Sequence, residues 1–232
     1  MTNTKICTPH TKMSELLSDN YSMLLLLFRF NISLGVGEKS IKDICQENNV
    51  DLHTFLSIVN FILHPETPAL GTLHELYIPD VIKYLSNSHS YFLDFRLPTI
   101  RAKLFSAILA APEDVRIAIQ RFFDEYVEEV RKHMQYENKI VFPYVEGLLK
   151  GESDPKYSIS IFKKKHDQIE MKIMELKNIL IKYYPARNDY QLNSVLYDLF
   201  SCESELADHN HVEDFLFVPA VELVEESMLR HN

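Results

Sequence analysis

The 232-residue chain has no tryptophan, only five glycines, only three cysteines and no long hydrophobic run. Each shortage removes a class of protein. The densest apolar stretch, Met23-Leu-Leu-Leu-Leu-Phe28, falls far short of the roughly 20 residues a membrane-spanning helix needs. Cys7, Cys45 and Cys202 stand far apart with no paired spacing, which argues against a disulfide framework and for a reducing compartment. Basic residues are outnumbered 24 to 33, leaving a formal charge of −9. Such a surface repels nucleic acid and anionic membranes. The first residues lack the basic, apolar and cleavage segments of a secretory signal. The expectation is a soluble cytoplasmic protein without a nucleic-acid or membrane partner.

What remains is rich in good helix formers, and 46% of the residues are hydrophobic. Few glycines and long periodic stretches predict an all-α protein. Residues 1–75 read as a small domain of short helices. One is expected over about Met13–Phe30. Leu34-Gly-Val-Gly37 forms a turn, because glycine tolerates positive φ. Further helices follow over about Ser40–Glu47 and, capped by Asp51, through Ile62. His64-Pro-Glu-Thr-Pro-Ala-Leu-Gly71 then marks a boundary. Residues 76–232 carry four long helices, expected over Pro79–Ala110, Pro112–Lys150, Lys156–Tyr183 and Tyr190–Leu229. Short connections between them predict an up-down-up-down four-helix bundle.

The inward stripes of these helices are interrupted by polar groups. The first reads Ile82, Leu85, His89, Leu93, Leu97, Ile100, Leu104. The second reads Tyr126, Val130, His133, Glu137, Val141, Tyr144, Leu148. The third reads Phe162, His166, Ile169, Ile173, Leu180. The fourth reads Leu199, Cys202, Leu206, His209, Glu213, Phe217, Ala220. Each long helix thus turns one histidine inward, and two repeat the pattern His-x-x-x-Glu-x-x-x-x-x-Pro, ending at Pro143 and Pro219. A plainer account exists, in which each His–Glu pair bonds within its own helix at the i, i+4 spacing. Four helices interrupted together favour a metal centre, which satisfies all six groups at once; isolated buried carboxylates are strongly unfavourable.

Imidazole and carboxylate suit iron, manganese or zinc. A His and a Glu four residues apart are separated by only about 6 Å along the axis, so both reach one cluster. Four His and two Glu exceed the needs of one ion. Shared between two, with each Glu bridging and an oxo or hydroxo bridge added, they leave a position open for dioxygen, nitric oxide or water. Two iron ions are the expected cofactor. Glu-x-x-His at the inward positions, which a ferritin-like site requires, is missing. Pro98, Pro143 and Pro219 should kink their helices near the ligands, or else mark helix ends.

These residues carry a family resemblance. The stretch from about 78 to 229 resembles a hemerythrin-like domain, and within that group the iron–sulfur cluster repair (RIC) family of di-iron proteins. The matching stretches are His89 through Leu97-Pro98, His133-Met-Gln-Tyr-Glu137 with Phe142-Pro143, Lys165-His166-Asp167, and Asp208-His209 through Glu213 with Pro219. The resemblance implies six metal ligands: His89, His133, Glu137, His166, His209 and Glu213. His89 is set one residue off relative to its proline. The resemblance also implies repair of clusters damaged by nitric oxide or oxidative stress, with damaged iron–sulfur proteins as partners. A dioxygen or nitric oxide sensor, an iron store, or a metal-free adaptor are the rival functions.

Several positions stay open. Oxygen-carrying hemerythrins use His-x-x-x-x-Asp on the last helix, and Asp214 fits that spacing, although Glu213 sits better on the stripe. Glu170 stands where those proteins carry another His. It reads as an added ligand, an orienting partner or a solvated surface group. His211 points away from the site. At the N-terminus, Phe28 through Ile41 resembles the small domain of the repair family, but Gly35-Val36 stands in place of its Cys-Cys pair. Cys45 reads as core. Residues 38–64 also fit a helix-turn-helix, yet Asp51 through Asn60 contains no Lys or Arg. Docking, or homodimer formation, is the expected use of this region.

Overall fold

The structure is a computed structural model that describes residues 6–65, 73–152, 156–164, 167–184 and 190–231. Most of the expected boundary at His64–Gly71 and the turn at Tyr184–Asn188 lie outside the described residues. The chain is all-α, as its composition predicts. Among the described residues no strand forms, and the one β-type pairing is an isolated bridge between Lys12 and Ser40.

The chain falls into two compact units. The first comprises Met1–Ser88, Tyr144–Ser160 and His211–Asn232. It opens with α1 (Met13–Asp19) and α2 (Met23–Arg29) where one continuous helix was expected. Ser18, Asp19, Asn20 and Ser22 explain the break, because short polar side chains compete with the helix for backbone groups. Gly35 and Gly37 take φ of +91° and +57° in the following turn, as expected of glycine there. Then α3 (Ile41–Glu47) starts with a reciprocal cap between Ser40 and Asp43, and α4 (Leu52–Leu63) starts where Asp51 accepts the Thr54 N–H at 2.8 Å. The core of this unit gathers Phe30, Phe55 and Tyr84, with ring centres 5.2 and 5.3 Å from Phe30. The buried Arg29 donates to the Tyr84 hydroxyl at 2.8 Å, and Asn87 donates to the Arg29 carbonyl at 2.7 Å. Together these bonds fasten α2 to α5 (Ile78–Ser90).

The second unit comprises His89–Pro143 and Ile161–Asn210. Its four helical segments run through α6 (Leu97–Ala107), α7 (Glu113–Tyr136), α9 (Asp167–Lys182) and α10 (Tyr190–Val212). They enclose one apolar core that includes Ile100, Phe123, Val130, Ile173 and Leu199. The expected stripes supply Ile100, Val130, Ile173 and Leu199. Burying each such side chain is worth about 1.5–3 kcal/mol. Helix α8 (Phe142–Leu149) continues α7, and α11 (Val218–His231) continues α10.

The third long helix was expected from Lys156, but a 3₁₀ segment, Ile159–Lys164, precedes α9. Here Glu225 intervenes. Its carboxylate accepts from the Ile159 N–H at 2.8 Å, the Tyr144 hydroxyl at 2.6 Å and the Ser158 hydroxyl at 3.1 Å. The first N–H groups of a helical segment have no partner within it, and Glu225 supplies one for Ile159.

The three inward-helix prolines neither end their helices nor leave them regular. Each follows a π-helical segment: Tyr91–Arg96, Glu137–Val141 and Glu213–Phe217. The residue before each proline donates its N–H five residues back, Leu97 to Phe92, Phe142 to Glu137 and Val218 to Glu213. Proline has no N–H and would strike the carbonyl four residues earlier. One extra residue in a widened turn relieves both faults, and such bulges gather at functional sites. The added residue also shifts the buried stripe. Phe92 is fully buried where Leu93 was expected, and Val145 is 1% exposed where Tyr144 was expected.

Candidate metal centre

The widened turns bring polar groups together inside the helices. His89, Glu137, His209 and Glu213 are all buried, none more than 1% exposed. Each offers one nitrogen or carboxylate oxygen, and the four atoms lie within 4.8 Å of one another. His209 and Glu213 sit one turn apart on a continuous helix, as the i, i+4 spacing requires.

Glu137 is the hub. Its Oε2 lies 2.8 Å from Nε2 of His89, and its Oε1 lies 2.8 Å from Nε2 of His133, whose side chain is 8% exposed. The His133–Glu137 contact is the intrahelical pair of the plainer account. It is not self-contained, because His89 comes from another helix to the other oxygen. His89 and His209 meet edge to face at 5.1 Å. Asn138 Oδ1 lies 2.9 Å from Nδ1 of His89. Three aromatic rings pack against these histidines. Phe142 stacks on His89 with centres 5.6 Å apart, Phe162 stacks on His133 at 6.0 Å, and Phe92 meets His209 edge-on at 6.0 Å.

His166 lies outside the described residues, as does the side chain of Glu170. Asp214 is half-buried beside the fully buried Glu213, and His211 is exposed, as expected. The sequence assigned no role at the site to Asn138 or Phe92, and it marked Phe142 and Phe162 only as a motif residue and a stripe residue. The only signal for Asn138 was its place next to Glu137; for Phe142 it was its place before Pro143.

The donor set fits a cation. Two carboxylates and two imidazoles buried at one point would be costly without positive charge among them. No thiol takes part. Burial, helped by Asp51 and Asp80, pushes the Cys45 thiol up to about 12, and burial does the same to Cys202.

Fold and site therefore define a helical metal-binding protein with a buried His/Glu cation site. The particular family follows from comparison: residues 80–221 match the hemerythrin HHE cation binding domain, and the chain belongs to that family. No curated protein matches the chain. Among the described residues, no helix is long and apolar enough to cross a membrane.

Proposed function

We propose that the chain is a non-haem di-iron protein that takes part in repairing iron–sulfur clusters damaged by nitric oxide or oxidative stress. The observation that carries this reading is Glu137, whose two oxygens each face a different histidine. A carboxylate so placed suits two ions rather than one. His89, His133, His209, Glu137 and Glu213, joined by His166, would hold the pair, with about two histidines for each ion. Nitrogen and oxygen donors without thiolate favour iron among redox-active metals. When bound, the pair would supply one-electron chemistry and an open position for dioxygen or nitric oxide. The chain's own part is to hold donors in register and keep bulk water off. The rings of Phe92, Phe142 and Phe162 do the latter. Residues 1–75 would serve as a docking or dimerisation module in the cytoplasm.

A second reading, a dioxygen or nitric oxide sensor or an iron store, is favoured by Gly35-Val36 standing where the repair family has its Cys-Cys pair. One preparation tests both. The protein is purified without oxygen, iron per chain is measured, and the near-ultraviolet absorption of a bridged iron pair is recorded. Two irons per chain are expected, with recovery of a damaged cluster enzyme on mixing that is lost in His133→Ala. Two irons with a reversible oxygen adduct and no recovery would move the assignment to sensing. A chain that takes up no metal would leave only an adaptor role.

A further inference from the structure

The ring of His89 is gripped at both nitrogens by consecutive residues of one neighbouring π segment. Glu137 Oε2 is 2.8 Å from Nε2, and Asn138 Oδ1 is 2.9 Å from Nδ1. We propose that Asn138 is a positioning residue of the metal centre, accepting the Nδ1–H of His89 and so fixing the tautomer whose Nε2 lone pair faces the cation. This rests on the metal-binding reading above.

The reasoning is one of proton accounting. A neutral imidazole carries one proton, and only the other nitrogen can ligate. A side-chain carbonyl oxygen has no proton to give, so the proton lies on Nδ1 and Nε2 is left to bind. With the amide reversed, its NH₂ would donate to Nδ1, the proton would move to Nε2, and the ring could not ligate. The two orientations therefore make opposite statements about metal binding. The partner of a ligating histidine orients the ring and sets its basicity. Here it is a neutral amide, which holds the tautomer without adding a negative charge to the centre. Asn138 is itself solvent-exposed, so replacing it leaves the core intact.

The test compares wild type, Asn138→Leu and Asn138→Asp in the full-length chain. Affinity for Fe²⁺ without oxygen, and for Co²⁺, is measured by competition with a coloured chelator, with thermal melting of the metal-free proteins as a folding control. Asn138→Leu has no acceptor and is expected to bind about 10–100-fold more weakly. Asn138→Asp keeps an acceptor and offers no donor, and is expected to stay within about threefold of wild type or bind more tightly. Equal affinity in wild type and Asn138→Leu overturns the proposal. So does an aspartate variant as weak as the leucine one, since that would mean the amide donates. A wild-type chain that binds neither ion overturns the metal-binding reading itself and this proposal with it. Indifferent variants of a metal-binding wild type overturn only the role of Asn138.

Discussion

Replacing Glu137 by Gln separates a metal ligand from a structural ion pair, because the two accounts differ in sign. The carboxylate is fully buried between His89 and His133 at 2.8 Å each. If it exists to pair with these rings, removing its charge breaks a buried pair and costs about 3–5 kcal/mol. If it exists to bind cations, the metal-free protein already bears the penalty of a crowded buried charge. The isosteric amide then leaves metal-free stability unchanged or raises it. The loss falls on the loaded protein. Metal at a thousand times its dissociation constant stabilises the wild type by about 4 kcal/mol. For a chain of this length that is a rise of roughly 8–16 °C in melting temperature. Paired melts with and without Fe²⁺ under nitrogen read both quantities. The expected result is a metal-free Glu137→Gln protein at least as stable as wild type, with the metal-dependent rise abolished. A variant that melts well below wild type without metal, yet keeps the full rise with it, would refute the reasoning.

Three further outcomes are expected. Leu199 is fully buried in the core of the second unit, so Leu199→Ala should cost about 2–5 kcal/mol in urea unfolding while leaving metal stoichiometry unchanged. The Cys45 and Cys202 thiols, pushed up to about 12 by burial, hold their protons more tightly folded than unfolded. Their contribution is therefore complete below the ordinary thiol value of 9.0 and is lost as pH rises from there toward 12, which denaturant melts across that range should record, with Cys45→Ser and Cys202→Ser changing the slope. Glu225→Ala frees the Ile159 N–H and two hydroxyls, and should cost about 1–3 kcal/mol and speed hydrogen exchange at Ile159.

Helix identity was legible because the apolar period is strong and the caps are explicit. Ser40 with Asp43, and Asp51 with Thr54, start α3 and α4 where the side-chain chemistry predicts. The break between α1 and α2 was in plain view as a run of short polar residues, but it competes with Met23–Phe28, whose apolar weight suggested continuity. The 3₁₀ segment before α9 was not legible, because the carboxylate that caps it, Glu225, lies 66 residues from Ile159. The site divides the same way. Glu137 and Glu213 could be picked out because a carboxylate on an apolar stripe has no cheap explanation. The contact of Asn138 with His89 spans 49 residues and leaves no periodic trace.

The repeated proline explains where stripe reading failed and what the motif contains. Counting back six residues from Pro98, Pro143 and Pro219 gives Phe92, Glu137 and Glu213. These three carbonyls accept the long bonds of the three π segments. The backbone device is therefore shared by three helices, while the carboxylate is carried by two. In the third, Phe92 fills the equivalent place and meets His209 in a T-shaped pair. The His-x-x-x-Glu-x-x-x-x-x-Pro pattern is thus two things joined: a proline-driven wide turn, and donors placed on it. This also accounts for His89, which stands nine residues before its proline while His133 and His209 stand ten before theirs. With no carboxylate to match on its own helix, His89 reaches across to the oxygen that Glu137 offers.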